Sequence, residues 1–225
     1  MICLVTDRRR LVAAGGAPGA SRQCLIAQVR HAVAAGVDLI QVRERDLQAA
    51  ALADLVADLL IIATGTPTRI VVNDRLDVAL ACGAHGVHLR GDSIPIASAR
   101  RLAPAGFLIG RSVHRLHEAV AAEGADYVIA GTVFPSASKP ASTRPLGVAG
   151  LRAIVQAVDR PVLAIGGIHG ERIGEVAAAG AAGFAAIGLF MASHPDPEAS
   201  GCRAVELGAT VKNARSWFDR PDTTP

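Results

Sequence analysis

The sequence predicts a single-domain α/β protein built as a closed parallel (β/α)8 barrel, the TIM-barrel architecture. Eight short apolar stretches rich in Val and Ile recur along the 225 residues and are nearly continuous in hydrophobicity, as strands buried on both faces must be. Segments with helical spacing separate them, so strand and helix alternate along the chain. No Gly-x-Gly-x-x-Gly follows the first stretch, which argues for a closed barrel over an open doubly wound sheet. The barrel is expected over residues 1–215, with a polar C-terminal tail over 216–225.

The first strand is Ile2–Thr6, ending at Asp7, and a helix follows through Leu25, Val29 and Val33 to a turn at Gly36. The second is Leu39–Val42. Around its end Gln41, Arg43 and Arg45 alternate, so all three enter the barrel mouth if the chain stays extended. Arg43 then offers a planar two-pronged donor to a phosphate or carboxylate, while the competing account is a rim pair with Glu44 or Asp46. Leu52, Leu55, Val56 and Leu59 mark the second helix, and Arg69–Val72 the third strand. Asn73 and Asp74 close that strand. Asp74 reads equally as a magnesium ligand facing the pocket and as the N-cap of a helix over 75–81.

The fourth strand, Gly86–Leu89, carries His88, and the fifth, Phe107–Gly110, leads into Ser112, Val113 and His114. Histidines at two strand ends suggest acid/base chemistry, although a single His beside an apolar run is ordinarily a hydrogen-bonded core residue. Ser112 shares a side of the strand with His114. The other five histidines, at 31, 85, 117, 169 and 194, show no ligand spacing. The sixth strand, Tyr127–Gly131, opens the longest connection, the Pro- and Ser-rich Thr132–Gly147 with Lys139, expected to be a functional lid. The last two, Val162–Ile165 and Phe184–Ile187, run into Gly166-Gly167-Ile168 and Ile187-Gly188-Leu189. Those are the loops in which barrels commonly hold a phosphate, here helped by close backbone approach and by a helix starting near Leu189. The structural alternative is that the glycines only make tight turns. In a closed barrel the carboxyl ends of all eight strands open on one face, so these residues are expected to converge on one pocket.

Composition narrows the function further. The net charge is +3, carried almost wholly by arginine, with Lys139 and Lys212 the only lysines, and no basic run marks a nucleic-acid footprint. Cys3, Cys24, Cys82 and Cys202 have no Cys-x-x-Cys spacing and read as buried thiols in a reducing compartment. The N-terminal charges follow the apolar run rather than precede it, the reverse of a secretory signal, and Val176–Ser193 is too glycine-broken for a membrane span. A cytoplasmic protein without membrane or nucleic-acid partners is expected. Whether it works as a monomer or a homodimer is open.

Seven ordered motifs then carry a resemblance: Gln-x-Arg-Glu at 41–44, Val-Asn-Asp-Arg-x-Asp-x-Ala at 72–79, Gly-Val-His-Leu at 86–89, Ile-Gly-x-Ser-x-His at 109–114, Gly-Ala-Asp-Tyr at 124–127, Val-Phe-Pro-x-x-Ser-Lys-Pro at 133–140 and Ala-Ile-Gly-Gly-Ile at 164–168. Together they resemble the thiamine phosphate synthase and TenI superfamily. The resemblance implies a phosphate-binding barrel of thiamine biosynthesis, in one of two branches. A synthase joins hydroxymethylpyrimidine diphosphate to thiazole phosphate and releases pyrophosphate, with Mg2+ on the diphosphate. It would use Gln41 for the pyrimidine, Arg43 and Lys139 for the diphosphate, Asn73 and Asp74 for diphosphate and magnesium, and the 166–168 and 187–188 loops for the thiazole phosphate.

This sequence departs from the synthase pattern in places. Position 45 is Arg rather than Lys, and His-Leu-Gly-Gln-Glu-Asp-x-Pro becomes His88-Leu-Arg-Gly-Asp-Ser-Ile-Pro95. The expected second magnesium carboxylate is therefore Ser93, with Asp92 one place early. The lid reads Ser136-Ala137-Ser138-Lys139, and Gly188 stands where serine is common. The other branch, a TenI-type thiazole tautomerase, aromatises a carboxythiazole phosphate by proton transfer and needs no cofactor; Ile109–His114 resembles it closely, with His114 as the proton-transfer residue. That stretch and the missing carboxylate at 93 tilt the expectation toward the tautomerase, with the synthase as the alternative. A non-catalytic phosphate-binding or regulatory barrel is the third reading, and the retained His88, His114 and Lys139 speak against it.

Overall fold

The computed structural model describes residues 1–12, 19–136, 144–191 and 207–219. Within them the eight strands pair in chain order, all parallel, and close on themselves. They are β1 (Ile2–Val5), β2 (Leu39–Val42), β3 (Arg69–Asn73), β4 (Gly86–Leu89), β5 (Leu108–Val113), β6 (Tyr127–Gly131), β7 (Val162–Ile165) and β8 (Gly183–Ala186). The connecting helices are α1 (Ala20–Ala34), α2 (Ala49–Ala63), α3 (Leu76–Ala81), α4 (Ile96–Leu102), α5 (Leu116–Ala121), α6 (Gly147–Ala157), α7 (Ile173–Ala178) and α8 (Gly208–Phe218). The expected barrel is the observed one.

Alternation along each strand divides the core in two. Cys3, Val5, Leu39, Val71, Tyr127, Ile129, Leu163 and Ala185 fill the barrel interior, and their strand neighbours pack outward against the helices. On α2 the spaced Leu52, Leu55, Val56 and Leu59 are all buried, each worth about 1.5–3 kcal/mol over exposure. Val33 of α1 is only partly covered, whereas Leu25 and Val29 are fully buried.

Among the boundaries that move, three bear on the ends of the barrel. β5 continues past Gly110 to Val113, so Ser112 sits within a strand and is held in register opposite Ile129. After β8 the chain makes only a three-residue 3-10 turn, Gly188–Phe190, and the helix dipole expected from Leu189 is not there. At the other end α8 runs through Trp217 and Phe218, past the expected boundary at 215, and the Phe218 ring lies tilted 6.1 Å from that of Phe184 of β8. Of the thiols, Cys3 and Cys24 are buried, but Cys82 is only half-buried; burial pushes the Cys3 thiol up to about 12, too high for a reactive thiolate. Cys202 lies outside the described residues. No described helix is long and apolar enough to cross a membrane.

Candidate active site

Barrel register sets which side chains meet at the carboxyl end. Gln41 is 4% exposed and donates from Nε2 to Asn73 Oδ1 at 2.8 Å, joining the ends of β2 and β3. The pairing leaves Gln41 Oε1, its second amide hydrogen and the Asn73 amino group for a ligand. Asn73 lies beside His88 in the β3–β4 register.

Arg43 does not make the rim pair that competed with a pocket role. Glu44 and Asp46 are both taken by Arg8, at 2.8 and 2.7 Å, and Arg43 has no side-chain hydrogen bond or ion pair with another described residue. Glu44, almost fully buried, accepts the Thr6 hydroxyl at 2.7 Å and the Arg8 backbone N–H at 3.1 Å; Thr6 in turn accepts the Arg43 backbone N–H at 2.9 Å. Burial raises the Glu44 carboxyl against the lowering effect of those donors. The half-buried Arg43 guanidinium is held below its ordinary value, first by desolvation and then by the charge of Arg45. Arg45 does not follow the expected alternation: the strand stops at Val42, a turn forms at 45–46, and Arg45 is exposed. Sequence reasoning missed the Thr6–Arg8–Glu44–Asp46 network, whose signal was two acids flanking Arg45 with an unassigned arginine run at 8–10.

Asp74 does not cap α3. That helix starts after Arg75, with no side-chain cap, and Asp74 is instead the one described non-glycine residue with a left-handed backbone, φ 65°. Its carboxylate accepts the Ser93 hydroxyl and faces the Arg90 guanidinium at 3.6 Å. Arg90 also binds Asp92 at 2.6 Å, and its backbone N–H reaches Ser93 Oγ at 2.9 Å. Asp92 is therefore held on Arg90, away from Asp74.

His88 is 1% exposed, and both its ring nitrogens are engaged: Nδ1 with the Tyr127 hydroxyl at 3.2 Å and Nε2 with Ser112 Oγ at 2.8 Å. Burial, with Arg111 adding repulsion, lowers it to about 3, so it is a neutral imidazole. The buried Tyr127 hydroxyl has His88 as its acceptor, which puts the imidazole proton on Nε2, donating to Ser112. The Ser112 proton is then free to donate into the mouth. His114 is exposed, takes Glu118 on its backbone N–H at 2.6 Å, and meets the Gly131 carbonyl through Nδ1. A carbonyl only accepts, so Nδ1 carries a proton there.

The loops after β7 and β8 differ in character. A side chain at Gly166 would meet Thr132 at 2.5 Å, and one at Gly167 would meet the Pro135 carbonyl at 2.4 Å, with φ of 100° and 64°. The tight-turn account thus explains both residues. Gly188, which follows Ile187, is open, with Arg10 Nη2 3.9 Å from where a side chain would start. Arg10 was not singled out by sequence and becomes legible only through barrel closure. Lys139 and the centre of the expected lid lie outside the described residues.

No three His, Cys, Asp or Glu side chains among the described residues are arranged to hold a metal by themselves. One carboxylate and one hydroxyl, Asp74 and Ser93, do fit a magnesium ion carried on a diphosphate, because that ion keeps waters and phosphate oxygens in most of its shell.

A family model described as thiamine monophosphate synthase matches residues 5–190. The putative thiamine-phosphate synthase of Geobacter sulfurreducens is 42% identical over 196 residues, covering 86% of this chain and 87% of its own. That of Methanoregula boonei, a thiamine-phosphate synthase, is 43% identical over 191 residues, covering 84% and 87%. The solved thiamine phosphate pyrophosphorylase of Pyrococcus furiosus superposes with a TM-score of 0.76 at 33% identity, over 97% of this chain and 95% of that one. A 3-hexulose-6-phosphate synthase, at 19% identity and TM-score 0.66, shares the fold alone. With a match running from the end of β1 past β8, and with relatives above 40% identity along most of their own length, the chain belongs to the thiamine monophosphate synthase family.

Proposed function

We propose that the chain is a thiamine-phosphate synthase, joining hydroxymethylpyrimidine diphosphate to thiazole phosphate with release of pyrophosphate. The names of its relatives support this alternative rather than the tautomerase that the 109–114 stretch favours. The observation that carries it is Arg43: a half-buried guanidinium without an ion pair among the described residues, whose acidic neighbours are both held by Arg8. A desolvated, unpaired fork two residues beyond Gln41 is suited to a diphosphate.

In this reading Gln41 and Asn73 orient the pyrimidine and its diphosphate through the donors and acceptors their mutual bond leaves over. Arg43 takes phosphate oxygens bidentately, and the negative charge that gathers on departing pyrophosphate falls on a guanidinium already in place. His88 is a positioning residue, holding Ser112 so that its hydroxyl donates to the substrate. Lys139 completes the diphosphate site by the family resemblance, and the open backbone at Ile187 and Gly188, beside Arg10, receives the thiazole phosphate. Magnesium, when bound, supplies further charge neutralisation on the diphosphate, with Asp74 and Ser93 as the residues to hold it.

The imidazole of His114 at the mouth favours a second reading, the tautomerase, since a histidine can take a proton at one ring position and return it at another. A coupling assay separates the two. Purified protein with hydroxymethylpyrimidine diphosphate, thiazole phosphate and magnesium should release pyrophosphate and thiamine phosphate at a steady rate. A folded protein that forms neither, beside an active control synthase, overturns the synthase reading and turns attention to His114.

A further inference from the structure

Arg90 is placed where neither the general fold nor the coupling chemistry calls for an arginine. Its guanidinium lies between two carboxylates: Nη2 is 2.6 Å from Asp92 Oδ2, an exposed residue, and Nη1 is 3.6 Å from Asp74 Oδ2, at the mouth. The first contact is a hydrogen-bonded ion pair, and the second is too long for a hydrogen bond. Asp74 is thus engaged by Arg90 through charge rather than through a fixed bond.

The surroundings make the arrangement a held one. Arg111, from β5, donates to the Gly91 carbonyl at 2.8 Å and the Ile94 carbonyl at 3.0 Å, tying down the 90–95 loop from the neighbouring strand. Ser93 links the Arg90 backbone to Asp74, and Asp74 occupies a left-handed backbone conformation of the kind found where a side chain is aimed for function. Beside the carboxylate that the synthase reading would give to a divalent cation, the chain has a permanent cation of its own.

We propose that Arg90 is a resident counter-ion of this site: it occupies Asp74 in the free protein, opposing a divalent ion there, and moves onto phosphate oxygens when a diphosphate binds. The inference rests on the synthase reading and deepens it. It implies that this chain recognises a diphosphate with less help from magnesium than a site of two carboxylates needs, since a guanidinium both replaces part of the metal charge and donates hydrogen bonds that a metal cannot.

Calorimetry on the free protein tests this without turnover, with inorganic pyrophosphate and Mn2+ as separate probes. Wild type should bind pyrophosphate in chelator, and Arg90→Gln should weaken that binding about tenfold, the size of one charge-assisted hydrogen bond. The same variant should tighten Mn2+ binding in the absence of pyrophosphate. Asp92→Asn, which leaves the arginine in place and releases it from its outer partner, should instead tighten pyrophosphate binding in chelator. Unchanged affinities in folded Arg90→Gln would overturn the proposal and make Arg90 a surface ion pair. Loss of both affinities together would also overturn it, because Arg90 would then only shape the loop. Wild type that binds pyrophosphate with magnesium but not in chelator overturns this inference alone. Wild type that binds pyrophosphate under neither condition overturns the synthase reading as well.

Discussion

His88 shows how one residue type changes meaning with burial. Its ordinary value is 6.5, and the folded state holds it at about 3, so between those limits the unfolded chain binds the extra proton. Stability is therefore full above about pH 6.5 and falls as pH drops through that window. Denaturant unfolding at pH 7 and pH 5 should show a loss of about 2 kcal/mol in wild type that His88→Gln lacks. His85, half-buried and lowered in the same direction by desolvation, is present in both proteins and cancels from the difference. Parallel profiles for the two proteins would mean that His88 carries its proton inside the barrel. The sequence placed this residue at the right strand end, yet its two ring partners are 39 and 24 residues away, so no local pattern separated a catalyst from a positioning group.

Between elements, the decisive contact is the one that binds the end of β1 to the end of β2. Glu44 accepts from Thr6 and Arg8, and through Thr6 it reaches the backbone of Arg43, so one buried carboxylate fixes the approach of the residue assigned to the diphosphate. Glu44→Ala leaves the Thr6 hydroxyl and the Arg8 backbone N–H without their acceptor, while the Arg8 guanidinium keeps Asp46, and should cost about 1–3 kcal/mol in chemical unfolding. In the synthase reading it should also raise KM for the pyrimidine diphosphate more than it lowers kcat. A stable variant with unchanged KM would show that Arg43 needs no such support. The same scale explains the misjudged Asp74. Asp before a helix is a good cap by sequence statistics, but the short α3 begins after Arg75, and the carboxylate is taken by Ser93 and Arg90 from the next strand-to-helix loop.

For the whole molecule, closure is the event that makes a site out of eight strand ends. The seam between β1 and β8 has no room for a side chain at Gly183, whose Cβ would stand 1.7 Å from the Met1 carbonyl oxygen. Gly183→Ala should therefore lower the unfolding midpoint by several degrees and reduce activity without touching any pocket residue, as read by thermal melts; an unshifted melt would mean that the N-terminal strand slides freely. Closure also joins Arg10, just after β1, to Gly188, just after β8, a pairing of residues from opposite ends of the described barrel. Eight buried strands, their order and the family were readable from the chain alone, because hydrophobic periodicity, turn residues and ordered motifs are all local in sequence. Which acid holds Arg8, which hydroxyl holds His88 and which cation faces Asp74 were settled only by the folded register, since each of those partnerships bridges residues 16 to 39 apart that one strand's alternation cannot see.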